Sequence, residues 1–343
     1  MRISVIVPTR DRAASLERAL DSLLAQNTSL PYEIVIADNG SSDATPALLA
    51  ARAQNDGRVR SVSVPQPNRA AARNAAIALA RGSLLLFCDD DVVAPPGYVA
   101  AHAAAHGDTF PVAVSGPILN VPSAADRPSP SWKNGSRAFF CTCNVSVPRT
   151  SLLAAGGFDP AFDRYGWEDT ELGLRLRARD VRRAFAWDAY LWHVKPPAVE
   201  TLDVVAAKTR ERAAMAALLL ARHDGWRTRL ATGAYGPNLV RSAVLAPRFA
   251  LAGFRRAAES AALPAVVRAI ARGQYLDGTY VAELRSALRS AATGATGATA
   301  ETGATAATGA PAATGAPAAT GATGAPAATG ATAATGAEGA RRR

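Results

Sequence analysis

Along its first two hundred positions the chain alternates short apolar runs with stretches in which apolar residues recur every three or four positions. Ile3 to Val7, Tyr32 to Ala37 and Leu84 to Cys88 are predicted strands, with Val59 to Val64 a weaker one. The third run carries no charge and no polar alternation, as expected of a strand buried on both faces. Between the strands, Leu16, Leu20, Leu23 and Leu24 have core-facing spacing over Ala13 to Gln26. A second helix passes through Leu49 and Ala53 with Asp43 as its N-cap, and Asn68 opens an alanine-rich helix closing near Gly82. This alternation predicts an α/β fold, a mainly parallel sheet flanked by helices, in which ligands bind outside the carboxyl ends of the strands. Downstream the pattern predicts a helix from Pro95 to about His106 and a strand over Val112 to Ser115. An irregular stretch from Pro117 to Asn134 follows, then a strand over Cys141 to Val147. A helical turn precedes Gly156-Gly157-Phe158-Asp159, a helix starts at Glu168, and a last strand covers Val181 to Trp187.

The run Leu84 to Cys88 stops on Asp89, Asp90 and Asp91. Adjacent carboxylates at a strand end repel one another and lose hydration, which is unfavourable unless a cation or several donors compensate them. A hard divalent ion, Mg2+ or Mn2+, takes oxygen ligands and leaves positions open for a substrate's phosphates. The competing reading is a solvated acidic turn before the helix that Pro95-Pro96 starts. Asp38 falls on the same rim. The first strand leads into Pro8-Thr9-Arg10, without the Gly-x-Gly-x-x-Gly of a dinucleotide fold or a P-loop. Nucleotide binding would therefore rest on Asp38 accepting from a base or ribose, on Arg10 or Arg73 near phosphate, and on the metal.

Composition divides the 343 residues unevenly. From Ala291 the chain is almost wholly Ala, Thr, Gly and Pro, without the large apolar side chains that offset chain entropy, and is expected to be disordered. Residues 1–205 hold 21 Lys+Arg and 21 Asp+Glu, residues 206–290 hold 14 and 5, and the tail holds 3 and 2. All but one of the ten excess positive charges thus lie in 206–290, interleaved with Leu, Val, Phe and Trp. That pattern suits an anionic membrane surface or an acidic partner, whereas no nucleic-acid motif is present. The expected domains are 1–205 catalytic, 206–290 a basic amphipathic helical extension and 291–343 the tail. No stretch reaches the roughly 18 apolar residues of a membrane span and no signal-peptide core follows Met1, so a cytoplasmic location is expected, with the inner membrane face as a place of action. Cys88, Cys141 and Cys143 are expected to be reduced structural residues.

A second chemical signal lies in Tyr165-Gly166-Trp167-Glu168-Asp169-Thr170-Glu171-Leu172. Acids at a helix start are favoured by the helix dipole without any function, but Gly166 and Trp167 beside them suit close backbone approach and a stacking wall for a ring-shaped ligand. Taken with Val5-Ile6-Val7-Pro8-Thr9, Asp38-Asn39-Gly40-Ser41-Ser42-Asp43, Arg73-Asn74, Asp89-Asp90-Asp91 and Gly156-Gly157-Phe158-Asp159, this block resembles the family-2 glycosyltransferases of the GT-A fold, from Ile3 to about Pro197.

The resemblance implies transfer of a sugar, with inversion, from a nucleoside-diphosphate sugar, a UDP-sugar first, to a glycan, lipid or small-molecule acceptor. It implies that Pro8, Thr9, Arg10, Asp38, Arg73, Asp89 and Asp90 form the nucleotide site and that Asp91, Asp89 and His193 hold the metal. Asp169 would be the general base with Glu168 beside it, and Gly166 and Trp167 would line the acceptor or sugar pocket. Asp90 belongs to the same Asp89-Asp90-Asp91 version of the family's DxD motif. The rivals are a nucleotidyltransferase, disfavoured by the missing Gly-rich activation loop, a non-catalytic nucleotide-sugar binder, and a processive synthase, which normally needs membrane spans. A peripheral membrane contact and a homodimer are both expectations for residues 206–290.

Overall fold

In the computed structural model, described over residues 1–107, 111–136, 138–195, 200–245 and 247–301, strands and helices alternate from the start. β1 (Ile3–Thr9), α1 (Ala13–Leu24), β2 (Tyr32–Asp38), α2 (Thr45–Asn55), β3 (Val59–Ser63), α3 (Arg69–Leu79) and β4 (Leu84–Cys88) follow the apolar pattern closely. Then come β5 (Val92–Val93), α4 (Tyr98–Ala104), β6 (Val112–Ser115), β7 (Ile118–Val121), β8 (Asn144–Pro148), α5 (Arg149–Ala154), α6 (Glu168–Arg177), β9 (Arg182–Phe185) and β10 (Leu191–Val194). Five helices complete the described chain: α7 (Leu202–Arg222), α8 (Trp226–Thr232), α9 (Gly236–Leu245), α10 (Arg248–Glu259) and α11 (Ala265–Glu301).

Seven strands form one sheet in the order β3-β2-β1-β4-β8-β6-β9. β1 to β4 are parallel, β8 runs antiparallel to both β4 and β6, and β9 is parallel to β6. All strands except β8 therefore end on one rim. Period-two alternation divides each strand between two cores. Ile3, Val5, Ile34, Ile36, Leu84 and Leu86 pack with Leu16, Leu20 and Leu23 of α1 and Tyr98 of α4. Ile6, Val35, Leu85 and Phe87 pack on the other face with Ala76 and Ile77 of α3, Phe158, and Leu172 and Leu176 of α6. A charge anywhere in β4 would be buried on either face, which is why that run is wholly apolar.

Three expectations need correction. The stretch from Pro117 to Asn134 is not irregular throughout, because it contains β7, which joins β5 and β10 in a second sheet of three strands, β5-β10-β7. The strand placed over Cys141 to Val147 begins only at Asn144, and Cys141 to Cys143 form a turn closed by Asn144 N–H donating to the Cys141 carbonyl at 3.1 Å. Asp43 is not the N-cap residue of α2, a place taken by Ala44. Its carboxylate instead accepts from Thr45 N–H at 2.9 Å and from Ala13 N–H at 3.1 Å, so it ties the starts of α1 and α2 together.

Contacts divide the chain into Met1–Gly294 and Ala295–Arg343. Of the second unit, residues 295–301 are described, as helix. Residues 302–343, most of the Ala/Thr/Gly/Pro tail, lie outside the described residues, as do Pro196 and Pro197. Among the described residues no helix is long and apolar enough to cross a membrane.

Candidate active site

The rim begins with β1 and β2, whose register sets Thr9 beside Asp38. Asp38 is buried and accepts from Ser41 N–H at 3.0 Å, which curls the following loop back over the strand end. Asp11, held at φ 51°, accepts from Ser42 N–H at 2.7 Å, so the loops after β1 and β2 form one wall. Pro8 is half-buried and Thr9 buried in that wall, whereas Arg10 points outward with Asp11 3.5 Å away.

The three acids after β4 meet three environments. Asp90 is buried and turned inward: Thr9 Oγ1 donates to one oxygen at 2.7 Å and Arg12 Nη1 to the other at 3.1 Å. Burial raises its pKa in spite of those donors. Asp91 is half-buried and receives the same Arg12 nitrogen at 2.8 Å. Its other oxygen, Oδ1, lies 2.9 Å from His193 Nε2, yet the contact lacks hydrogen-bond geometry and Oδ1 is left buried without a partner. Burial would raise the Asp91 pKa, but His193 and Arg12 outweigh it and hold the carboxyl below its usual range. Asp89, also half-buried, lies with Cys143 and His193 in a cluster whose donor atoms are all within 4.8 Å of one another.

The small sheet makes this convergence. Val92 and Val93, directly after Asp91, pair with His193 and Trp192, and Val194 N–H donates to the Asp91 carbonyl at 2.8 Å. An orphaned buried carboxylate oxygen facing an imidazole nitrogen, with a guanidinium already bridging the neighbouring acids, fits a divalent cation held by Asp89, Asp91 and His193.

α6 supplies the opposite wall. Gly166 (φ 97°) and Trp167 (φ 75°) bring the chain into it in left-handed conformations, an arrangement that costs a side-chain-bearing residue about 1–3 kcal/mol and persists only where the surroundings enforce it. They do: Trp167 Nε1 donates to the Arg212 carbonyl at 2.9 Å, the Arg212 guanidinium lies 5.2 Å from the indole centroid, and the ring packs against α7 beside Phe162, Met215 and Leu219. At least part of the expected stacking wall is thus engaged in docking α7. Glu168 and Asp169 follow with opposite fates. Glu168 is buried in an ion pair with Arg73 of α3, 3.2 Å apart, and Arg73 also donates to Thr142 Oγ1 at 3.1 Å. Asp169 has no such partner. Burial, then repulsion by Glu168, raises its pKa to about 6 against the pull of Arg73, a value suited to accepting a proton near neutral pH.

α3 also fixes the loop before α6. Asn74 donates to the Phe158 carbonyl at 2.8 Å and accepts from Phe158 N–H at 2.9 Å. A Cβ on Gly157 (φ 70°) would stand 2.8 Å from the same Asn74 oxygen, so the close approach requires glycine there.

Three functional features escaped sequence reasoning. Arg12, not Arg10, is the arginine that meets the acidic rim. Arg73, expected near phosphate, is buried in its ion pair with Glu168, a pairing the spacing did not announce. The turn Cys141-Thr142-Cys143 threads between the two walls, with Cys143 in the cluster with Asp89 and His193, Thr142 on Arg73, and Cys141 close enough to Asp169 and Asp89 that burial and then their charges push its thiol up to about 11. The Cys-x-Cys spacing is the visible signal for it, and within an expected strand that spacing reads as packing.

This sheet order, acidic rim and facing carboxylate define a GT-A glycosyltransferase domain. Residues 4–164 match the model of Glycosyl transferase family 2, which together with the relatives below supports a GT2-like GT-A glycosyltransferase. It is 31% identical over 238 residues to validoxylamine A glucosyltransferase of Streptomyces hygroscopicus subsp. jinggangensis, covering 57% of this chain and 55% of that protein. An uncharacterized glycosyltransferase of Bacillus subtilis is 25% identical over 257 residues, covering 57% and 66%. The chain spans about half the length of the streptomycete relatives it matches. Among solved structures, a mannosyltransferase from Pyrobaculum calidifontis, in complex with GDP-mannose and Mn2+, superposes with a TM-score of 0.55 at 21% identity, over 83% of this chain and 86% of that one. At that identity it supports the fold.

Proposed function

We propose that this protein transfers a sugar, with inversion and with the help of Mn2+ or Mg2+, from a nucleoside-diphosphate sugar to an acceptor hydroxyl. The observation that carries the reading is Asp169: a carboxylate without an ion-pair partner among the described residues, its pKa raised to about 6, beside the Cys141–Cys143 turn that also meets Asp89. Asp38, Thr9 and the wall they share would take the nucleoside, and Asp89, Asp91 and His193 would hold the ion. When bound there, the ion would neutralise charge developing on the departing diphosphate. Asp169 would take the proton from the acceptor hydroxyl as its oxygen attacks the anomeric carbon, one displacement that inverts the stereochemistry. Arg73 holds Glu168, so the proton goes to Asp169 alone. Arg12 bridges Asp90 and Asp91 and offsets part of their charge before the ion arrives. The donor we favour is a UDP-sugar, on the family resemblance, and validoxylamine A, named for the streptomycete relatives, is the first small acceptor to try.

Residues 206–290 would hold the enzyme against an anionic membrane, at the inner face of a cytoplasmic location, since Val240, Phe249, Val266 and Ile270 are 61–88% exposed amid the excess of arginine. The deciding experiment is calorimetric titration of UDP-, GDP- and dTDP-sugars with and without Mn2+ into the wild type, Asp91→Asn and Asp169→Asn, beside donor turnover. Asp91→Asn should lose metal-dependent affinity, whereas Asp169→Asn should keep it and lose turnover. No donor binding under any condition would defeat the proposal.

A further inference from the structure

We propose that Asp89, Cys143 and His193 form a site for a thiophilic divalent ion, Zn2+ foremost, which overlaps the hard-ion site and shuts it. Their donor atoms already lie within 4.8 Å of one another. Tetrahedral zinc has bonds of about 2.0–2.3 Å, so its ligand atoms stand roughly 3.3–3.8 Å apart, and closing the set requires shifts of about 1 Å. Cys143 and His193 are buried and Asp89 is half-exposed, which leaves the fourth position facing the cleft.

The scaffold is fixed on both sides. His193 sits in the central strand of the three-stranded sheet. Next to Cys143, Asn144 accepts from Tyr98 at 3.1 Å, contacts His102 at 2.8 Å, and donates to the carbonyls of Pro117 and Ala189 at 3.1 and 2.8 Å. The donor set is one oxygen, one sulfur and one nitrogen. Affinity for such a set rises from Mn2+ to Zn2+, and a thiolate sharpens that preference, whereas a hard ion prefers the oxygens of Asp89 and Asp91. As the sulfur–metal bond forms, the thiol proton leaves to solvent. Since both ions need Asp89 and His193, bound Zn2+ excludes the ion that the diphosphate needs. The assignment stands on the donor cluster and holds whether or not the protein transfers sugars.

The test uses the full chain stripped of metal by a chelator and titrated with Co2+ as the probe. The expected result is a near-ultraviolet sulfur-to-cobalt charge-transfer band that saturates at one equivalent and is displaced by Zn2+. Cys143→Ser should abolish the band. It should weaken Zn2+ binding by about 100-fold or more, since losing even an outer-shell partner of a metal ligand costs 10–100-fold. Mn2+ binding followed by paramagnetic resonance should be unchanged in that variant, which also shows that it folds. Cys141→Ser and Asp91→Asn should keep the band. A wild type without the band, a band that survives Cys143→Ser or is lost in Cys141→Ser or Asp91→Asn, or a Cys143→Ser protein that no longer binds Mn2+ would each overturn the site as assigned.

Discussion

Replacing Asp169 by Asn should make the protein more stable and nearly inactive at once. The wild-type carboxyl has its pKa raised from 3.8 to about 6, first by burial and then by Glu168. That gap corresponds to roughly 3 kcal/mol of disfavoured ionisation, and the residue's remaining exposure lowers the expected effect to about 1–3 kcal/mol. The sign follows from where the proton resides. Below about pH 3 the carboxyl is protonated in both folded and unfolded chains, and ionisation costs nothing. Between about pH 4 and 6 the folded chain holds the proton more tightly, so wild-type stability falls as pH rises through this window and stays reduced above it. Asn carries no charge and escapes the penalty. Thermal unfolding at pH 3 should therefore give nearly matching midpoints, whereas at pH 8 the variant should melt several degrees higher, given about 2–4 °C per kcal/mol for a domain of this size. Turnover should drop by about 10²–10⁴-fold, and wild-type kcat/KM should fall on the acid side of about pH 6. A variant that turns over at the wild-type rate, or melts lower at pH 8, would refute the placement of Asp169 as a strained base.

Glu168→Gln leaves Arg73 buried without its counter-charge, which should cost about 3–5 kcal/mol in chemical denaturation. If the variant folds, removing the Glu168 charge should move the acid limb of kcat/KM below pH 6, because repulsion from Glu168 helps to raise Asp169. Trp167→Ala removes the indole that docks α7 and should cost about 2–3 kcal/mol, somewhat under the 3–5 of a fully buried tryptophan, with accelerated hydrogen exchange in α7 as the reading. Sedimentation with anionic vesicles at low salt should carry the protein down and neutral vesicles should not. Equal sedimentation would remove the membrane role and leave a basic helical surface for a partner or a second copy.

The pattern of apolar residues made β1, β2, β4, α1 and α3 legible because each buries a whole face, and burial leaves a periodic trace in the sequence. It also marked the acids at the ends of β2, β4 and at the start of α6. β5, β7 and β10 left little trace, since two to four residues are too few to show a period, and the β5–β10 pairing joins residues as distant in sequence as Val93 and Trp192. His193 was thus readable as a candidate, while the geometry that sets it beside Asp91 was not. Arg12 and Cys143 are similar cases: neither type signals chemistry by itself, and both acquire it from what the fold brings to them. Trp167 shows the reverse, because an aromatic beside an acidic motif reads as ligand-facing when much of its ring serves the helix behind it.

Both acidic motifs rest on one physical device. Two neighbouring carboxylates cannot share one environment and do different work, so an arginine from elsewhere in the chain separates them. At β4, Arg12 and Thr9 saturate Asp90, while Asp91 keeps one buried oxygen without a hydrogen bond. At α6, Arg73 pairs with Glu168, while Asp169 has no ion-pair partner among the described residues and accepts only from Thr170, its N–H at 2.7 Å. In each pair one acid is engaged by side chains from elsewhere in the chain, and the other is the one that a cation or a proton would stabilise. Cys141-Thr142-Cys143 spans no more than about 7 Å of extended chain between its outer residues. It meets Asp169 through Cys141 and Asp89 through Cys143, so a change in that turn should act on both acids together.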